Sequence, residues 1–248
     1  PSIHVPREQV AEVFTEFFGR EIPPDIAEEV MAVREFLREK YFTADIGISG
    51  ANAVAADTGQ ITIIENEGNV RLCTAAPPVH IAVVGIEKIV PTFLDSMKVA
   101  EVNWRYGQYG APGYVNIISG PSKTGDIEKV TTYGAHGPHE FHVIFVDNGR
   151  SKMIADPVCS DAALCVRCGG CMYECPVFSL VAGHFGKTYM NGIGAIWTAF
   201  VDDGIKEAAP IVYNCLRCGR CVEQCPMDID VPTMIYHLRT EATKEEKK

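Results

Sequence analysis

The 248-residue sequence predicts two parts of different class, an α/β domain followed by an all-helical domain. Three observations carry this. After residue 42, short apolar runs rich in β-branched residues alternate with helical stretches. From Pro157 onward no convincing strand pattern follows. In that second part, CVRCGGCMYECP at 165–176 and CLRCGRCVEQCP at 215–226 repeat one spacing, C-x2-C-x2-C-x3-C-P.

The elements follow in chain order. Residues 6–19 form a helix, because Val10, Val13, Phe14, Phe17 and Phe18 fall on one apolar stripe and Gly19 can end it. Pro23 and Pro24 separate it from a second helix over 25–42, with Ile26, Val30, Val33 and Leu37 on one side. ITII at 61–64, VHIAVV at 79–84, VNII at 115–118 and FHVIFVD at 141–147 read as buried strands. A helix is expected around 91–106. The boundary falls in DNGRSKMIADP, giving an α/β domain over 1–156, a helical domain over 157–240 and a charged tail over 241–248. The segment between the cysteine runs, Pro176 to Asn214, contains a helical candidate, IGAIWTAFVDDGIKEAA. A last helix is expected to start at Asp230 and Pro232.

The cysteine spacing is that of a bacterial-type [4Fe–4S] ligand run. Three cysteines at i, i+3 and i+6 wrap a tight loop around three corners of a cubane. Gly169, Gly170 and Gly219 let the backbone approach it. The fourth cysteine of such a run usually serves the other cluster. Cluster one is therefore assigned Cys165, Cys168, Cys171 and Cys225, and cluster two Cys215, Cys218, Cys221 and Cys175. Zinc would leave a redundant thiol in each run, and disulfides would need a secreted chain. Two cubane clusters close together form a conduit for single electrons. The segment between the runs is longer than the β-containing one of compact two-cluster ferredoxins. This favours an all-helical ferredoxin module, similar to those in fumarate reductase iron–sulfur subunits.

Composition narrows the partners. A formal charge of −10 is a poor match for nucleic acid or anionic lipid. No apolar run approaches the roughly 18 residues that a spanning helix needs, and no signal peptide is visible. The expected location is the cytoplasm, with docking to a membrane complex through another subunit as an option.

The stretch TADIGISGANAVAADTGQITIIENEGNVRLCTAAPPVHIAVVGIEKIVPT resembles the LUD domain of lactate-utilisation iron–sulfur proteins of the LutB/LldF type. ISGPSKTGDIE, HGPHEFHVIFVDNGRS and the following ADP do so too. The resemblance covers about residues 1–235. It implies an α/β fold related to isomerase and CoA-transferase domains, placed before a two-cluster helical ferredoxin. It also implies a subunit of a complex that oxidises L-lactate or a related 2-hydroxy acid. The implied partners are a CCG-domain cysteine-rich protein, a second LUD protein or a flavoprotein. Family members usually extend further at both ends, so the LUD domain is expected to be partial.

Outside the clusters, Gly47, Gly50, Asn52, Thr58 and Gly59 lie in GISGANAVAADTG. Such a loop either cradles an anion with backbone N–H groups or makes tight turns in a packed domain. ENEGN at 65–69 follows a strand, where ligands bind in open α/β sheets. By analogy with CoA transferases, where a strand-end glutamate is the acyl-accepting nucleophile, Glu67 or Glu65 is a candidate catalytic nucleophile; the alternative is a solvated turn. His80 is a candidate base or a hydrogen-bonded core residue. His136 and His139 are loop candidates, and Glu87 and Lys88 are read as solvated helix caps. Cys73 is read as a buried, inert thiol with a reactive role as alternative, and Cys159 as inert or a spare ligand. Arg167, Arg217 and Arg220 lie within the cluster loops, where positive charge raises cluster potential, docks an acidic partner or is simply solvated at the surface.

Three readings of function follow. The chain is an electron-transfer subunit whose substrate chemistry lies elsewhere, since no G-x-G-x-x-G follows a strand. Alternatively, the α/β domain is itself a small-carboxylate oxidoreductase site, or the chain is a structural relay in a bifurcating or membrane-associated assembly.

Overall fold

In a computed structural model describing residues 5–107, 110–202 and 204–246, two helices open the chain, α1 (Arg7–Phe18) and α2 (Ile26–Thr43). They are followed by β1 (Ile46–Ser49), β2 (Ala53–Ala55), β3 (Ile61–Glu65), α3 (Asn69–Ala75), β4 (Val79–Gly85) and β5 (Ile89–Val90). Next come α4 (Phe93–Tyr106), β6 (Tyr114–Ile118), β7 (Lys123–Thr124), β8 (Thr132–Tyr133) and β9 (Glu140–Val146). From there the named elements are helical: α5 (Arg150–Ala155), α6 (Gly170–Tyr173), α7 (Pro176–Val181), α8 (Asn191–Val201), α9 (Ile205–Asn214), α10 (Arg220–Glu223) and α11 (Val231–Glu246). Short 3-10 turns and an isolated bridge between Gly186 and Met190 accompany them.

The chain divides into two units. One holds the residues up to Ser49, Glu67–Ala82 and Gly120–Val143. Its sheet has the order β1-β4-β9, with β1 and β4 parallel and Gly47 opposite His80. Asp25 caps α2 by accepting from the N–H groups of Ala27 and Glu28, and Gly19 ends α1 in the left-handed region, φ 65°. Phe17 and Phe18 meet Phe36 of α2 edge to face at 5.3 and 5.6 Å. The expected apolar stripe of α1 is only partly buried, with Val13 and Phe17 exposed. Among the described residues α1 packs mainly on α2, which covers only part of the stripe, and the expected apolar side of α2 is likewise uncovered at Ile26 and Val30.

The other unit holds Gly50–Asn66, Val83–Ser119 and Ile144–Lys248. Its sheet has the order β5-β2-β3-β6, with β2–β3 and β3–β6 antiparallel and β2–β5 parallel. β3 is buried along most of its length, and Thr62 meets Ser96 of α4 at 3.1 Å. β6 and β9 correct the expectation of buried strands. Both are half-exposed, because the apolar residues of one edge face do not all find a covering layer.

α8, α9 and α11 pack on one another around Ile196, Trp197, Val212, Met234, Ile235 and Leu238. The expected single helix over IGAIWTAFVDDGIKEAA is two. α8 ends at Val201, and α9 begins after Gly204, whose φ of 87° and ψ of −178° suit no L-residue. α11 starts as expected, with the Asp230 carboxylate accepting from Thr233 N–H at 3.2 Å. It continues into the charged tail as far as Glu246, and Ala242 is buried.

Candidate metal centre

The two cysteine runs fold alike. Cys165 closes a 3-10 turn and Cys215 closes α9, both with extended backbone. Two residues on, Arg167 (φ 61°) and Arg217 (φ 56°) occupy the left-handed region. Non-glycine residues there carry strain, which is retained because it turns N–H groups toward the sulfurs of Cys165 and Cys215. Gly169 (φ 84°) and Gly219 (φ 85°) then open the short helices α6 and α10. Cys175 caps α7, with Pro176 at its first position and Phe178 N–H donating to Sγ at 3.5 Å.

The loops enclose two cavities of about 420 and 350 Å³, counting space open to solvent. Cys165, Cys168, Cys171 and Cys225 line the first; Cys175, Cys215 and Cys218 line the second; Cys221 touches both. The thiols are crowded. Burial, then the nearby Cys165 and Cys168, push Cys171 up to about 12. Burial, then Cys215, Cys218 and Cys175, push Cys221 up to about 11. Cys165, Cys168 and Cys215 are also raised, chiefly by burial. Thiols held neutral in this way ionise together only against a multivalent cation, which deprotonates a coordinating thiol outright. N–H groups aimed at sulfur, four convergent thiols and apolar walls therefore fit a thiolate-ligated iron–sulfur cluster.

Side chains from distant segments fix the loops. Asn103 of α4 donates to Val166 O at 2.7 Å, and Asn191 donates to Cys171 O at 2.9 Å. Arg239 of α11 donates to Val212 O at 3.0 Å and Cys215 O at 2.6 Å, satisfying the last carbonyls of α9. Lys88 reaches Cys165 O at 3.5 Å. Glu87 and Lys88 are not solvated caps. The Glu87 carboxylate is 2 % exposed and pairs with Arg150 at 2.6 Å and Arg167 at 3.1 Å. Burial, then Arg167, holds Lys88 below its usual value. Arg167 also stacks on Trp197 at 4.5 Å, while Arg217 stacks on Tyr236 at 4.9 Å. No local sequence signal marks Asn103, Asn191 or Arg239. Each is a polar residue on a helix, and its target lies far along the chain.

Cys159 lies in neither cavity and is fully buried. Burial, then Asp156, pushes its thiol up to about 12. Asp156, Cys159 and His237 bring their donor atoms within 4.8 Å of one another.

The α/β candidates have structural surroundings. A Cβ on Gly47 would stand 1.8 Å from Cys73 O, so glycine is required where β1 meets α3. A Cβ on Gly50 would meet Val83 O at 3.8 Å, an ordinary contact. Asn52 Oδ1 accepts from Ile64 N–H at 2.9 Å. Thr58 and Gly59 (φ 69°) form the exposed turn between β2 and β3, with Thr58 Oγ1 donating to Gln60 at 3.1 Å. Glu67 is exposed, whereas Glu65 is buried and accepts from Asn116 at 2.9 Å. His80 is fully buried, with Nε2 2.8 Å from Ser49 Oγ and Phe141 at 5.0 Å. Burial lowers its pKa. His136 and His139 are exposed on their loop.

Comparison with known proteins agrees in both halves. Residues 1–146 match the LUD domain family, and residues 161–229 match the 4Fe-4S dicluster domain family. An uncharacterized electron transport protein, YkgF of Escherichia coli K12, is 38 % identical over 199 residues, covering 79 % of this chain and 40 % of that protein. Lactate utilization protein B of Geobacillus kaustophilus is 38 % identical over the same share. The namesake from Shouchella clausii is 39 % identical over 206 residues, covering 82 % of this chain and 41 % of its own length. The chain thus spans about 40 % of the length of these relatives. A solved DUF162 family protein from Deinococcus radiodurans is 21 % identical at a TM-score of 0.31, covering 44 % of this chain and 57 % of its own, too distant to bear on the fold. The paired cysteine loops and the mixed α/β segment before them belong together: the chain is a member of the LUD domain family carrying a 4Fe-4S dicluster domain.

Proposed function

We propose that this chain holds two [4Fe–4S] clusters and relays single electrons in a multi-subunit oxidation of L-lactate or a related 2-hydroxy acid. The sorting of the cysteines supports this most directly: each cavity combines three ligands of one run with the last of the other. Cluster one takes Cys165, Cys168, Cys171 and Cys225; cluster two takes Cys215, Cys218, Cys221 and Cys175. When bound, such clusters supply one-electron steps. The chain's own residues hold them side by side, with Cys221 on the wall of both cavities. Residues 157–240 act as a helical ferredoxin-type domain and 1–156 as the LUD domain that docks partners. Those partners are a CCG-domain protein, a second LUD protein or a flavoprotein, and the names of the relatives support the lactate assignment.

A catalytic α/β domain is less favoured, since His80 is sealed from solvent and held by Ser49. Glu67→Gln is expected to leave turnover of the assembled complex unchanged. The decisive measurement is metal content with spectroscopy on anaerobically purified protein: about eight irons and eight sulfides per chain are expected for two cubanes. Cys175→Ser should alter the signal of the cluster held by Cys215, Cys218 and Cys221, and spare the other. Zinc in place of iron, without acid-labile sulfide, would overturn the reading.

A further inference from the structure

We propose that Asp156, Cys159 and His237 form a third metal site, separate from both clusters, that takes a single Zn2+ ion. Asp156 and Cys159 stand on the turn after α5, and His237 stands on α11. Their thiol, imidazole and carboxylate donors all lie within 4.8 Å of one another. His237 Nε2 is 3.4 Å from Asp156 Oδ2. That is long for an N–H···O hydrogen bond. It is close to the edge, about 3.4 Å, of a tetrahedron with zinc–nitrogen and zinc–oxygen bonds near 2.1 Å.

The carboxylate is already oriented for the task. Asp156 Oδ1 accepts from the N–H groups of Val158 at 2.9 Å and Cys159 at 2.8 Å, which leaves Oδ2 directed at the imidazole. Outer bonds of this kind are what fix first ligands at metal sites. The donor set selects the ion. A thiolate beside an imidazole disfavours magnesium and calcium, and a mixed sulfur, nitrogen and oxygen set suits zinc. A thiolate and a carboxylate also balance the charge of a divalent ion, as a half-buried site requires. Cys159 is fully buried, while the Asp156 and His237 side chains are 17 % and 26 % exposed. The fourth position therefore faces solvent and takes a water. On binding, the Cys159 thiol proton leaves to solvent and the Zn–S bond replaces it. The ion joins the segment just before the first cysteine run to the helix after the second, tying together the two ends of the region that carries the cysteines.

The test uses the intact holoprotein with its iron and sulfide assayed in parallel, so a failure of the cluster reading shows in iron and a failure of this site shows in zinc. After equilibration with micromolar ZnCl2 and desalting, about one zinc per chain is expected, with one sulfur near 2.3 Å in zinc-edge absorption. Cys159→Ser and His237→Gln should each weaken zinc binding at least tenfold, with iron, sulfide and cluster spectra unchanged. The histidine variant lies near the surface and serves if the buried cysteine change impairs folding. Zinc below about a tenth per chain with full iron would overturn the proposal. Zinc retained in both variants would do the same, as would a first shell of several sulfurs, the mark of ions in vacated cluster thiols.

Discussion

At the scale of single residues, Glu87 shows how burial reassigns an acid. Its carboxylate lies between Arg150 and Arg167, and Arg167 is part of the first cysteine loop. Glu87→Gln would leave two guanidinium groups facing each other across a buried amide. Removing one partner of a buried pair costs 3–5 kcal/mol, and Arg167, 39 % exposed, recovers part of this from water. The expected loss is roughly 2–3 kcal/mol in urea unfolding; a value within about 0.5 kcal/mol of the parent would mean the network contributes little. His80 gives a pH prediction. Burial lowers its pKa in the fold, whereas the unfolded chain titrates near about 6.5. The unfolded chain therefore binds the proton first. The stabilising term is complete above that pH and is lost as pH falls toward the folded value. Urea midpoints should drop between pH 7.5 and 5.5, and the drop should be smaller in His80→Gln. Equal slopes for both proteins would rule out His80 as a source.

At the scale of elements, the second cysteine loop depends on how α9 ends. Its last turn leaves carbonyls that no intrahelical donor can reach, and Arg239 from α11 covers Val212, Tyr213 and Cys215 together. Arg239→Ala should cost about 2 kcal/mol, given charge-assisted bonds of 1.5–3 kcal/mol each and partial replacement by water. It should also reduce iron at the cluster proposed for Cys215, Cys218, Cys221 and Cys175. Arg239→Lys should recover only part, since an ammonium cannot fork across three carbonyls. If Lys matched Arg in both stability and iron, the planar fork would be irrelevant. The cysteine loops were legible because their spacing is local and their chemistry admits few alternatives. Helices α1 and α2 were legible as elements from periodicity, but their buried faces were not, since Ile26 and Val30 of α2 are exposed, as are Val13 and Phe17 of α1; the strand at 61–65 was legible as a continuous β-branched run. β1, β2, β5 and α3 were not: none of the three strands holds a continuous β-branched run of four, and the seven residues of α3 are too few to display a helical period. The Glu87 pairs and the Arg239 cap were hidden for another reason. Their partners lie 63, 80 and 24 to 27 residues away, and only tertiary packing brings them together.

At the scale of the whole molecule, the cysteines of the two runs and the helical core are one structure. Cys175 is buried in the same cluster as Phe178, Trp197 and Ile235, and Cys165, Cys215, Cys221 and Cys225 pack against it. Iron removal would therefore take away more than a cofactor. Thiols such as Cys171 and Cys221, pushed up to about 12 and about 11, would return to neutral S–H at pH 8. They would face one another across the two thiol-lined cavities with no ion to organise them. The left-handed backbone at Arg167 and Arg217 would lose the ligation that offsets its strain of about 1–3 kcal/mol per residue. α8, α9 and α11 share this core, so loosening should spread along all three. Anaerobic chelation at pH 8 is expected to lower Tm by more than roughly 10 °C, as a loss of several kcal/mol implies at this chain length. Helical circular dichroism should fall with it, and iron plus sulfide should restore both. Superimposable melting curves before and after chelation would show that the helices hold the cavities open unaided, and that the metal stabilises nothing beyond its own ligands.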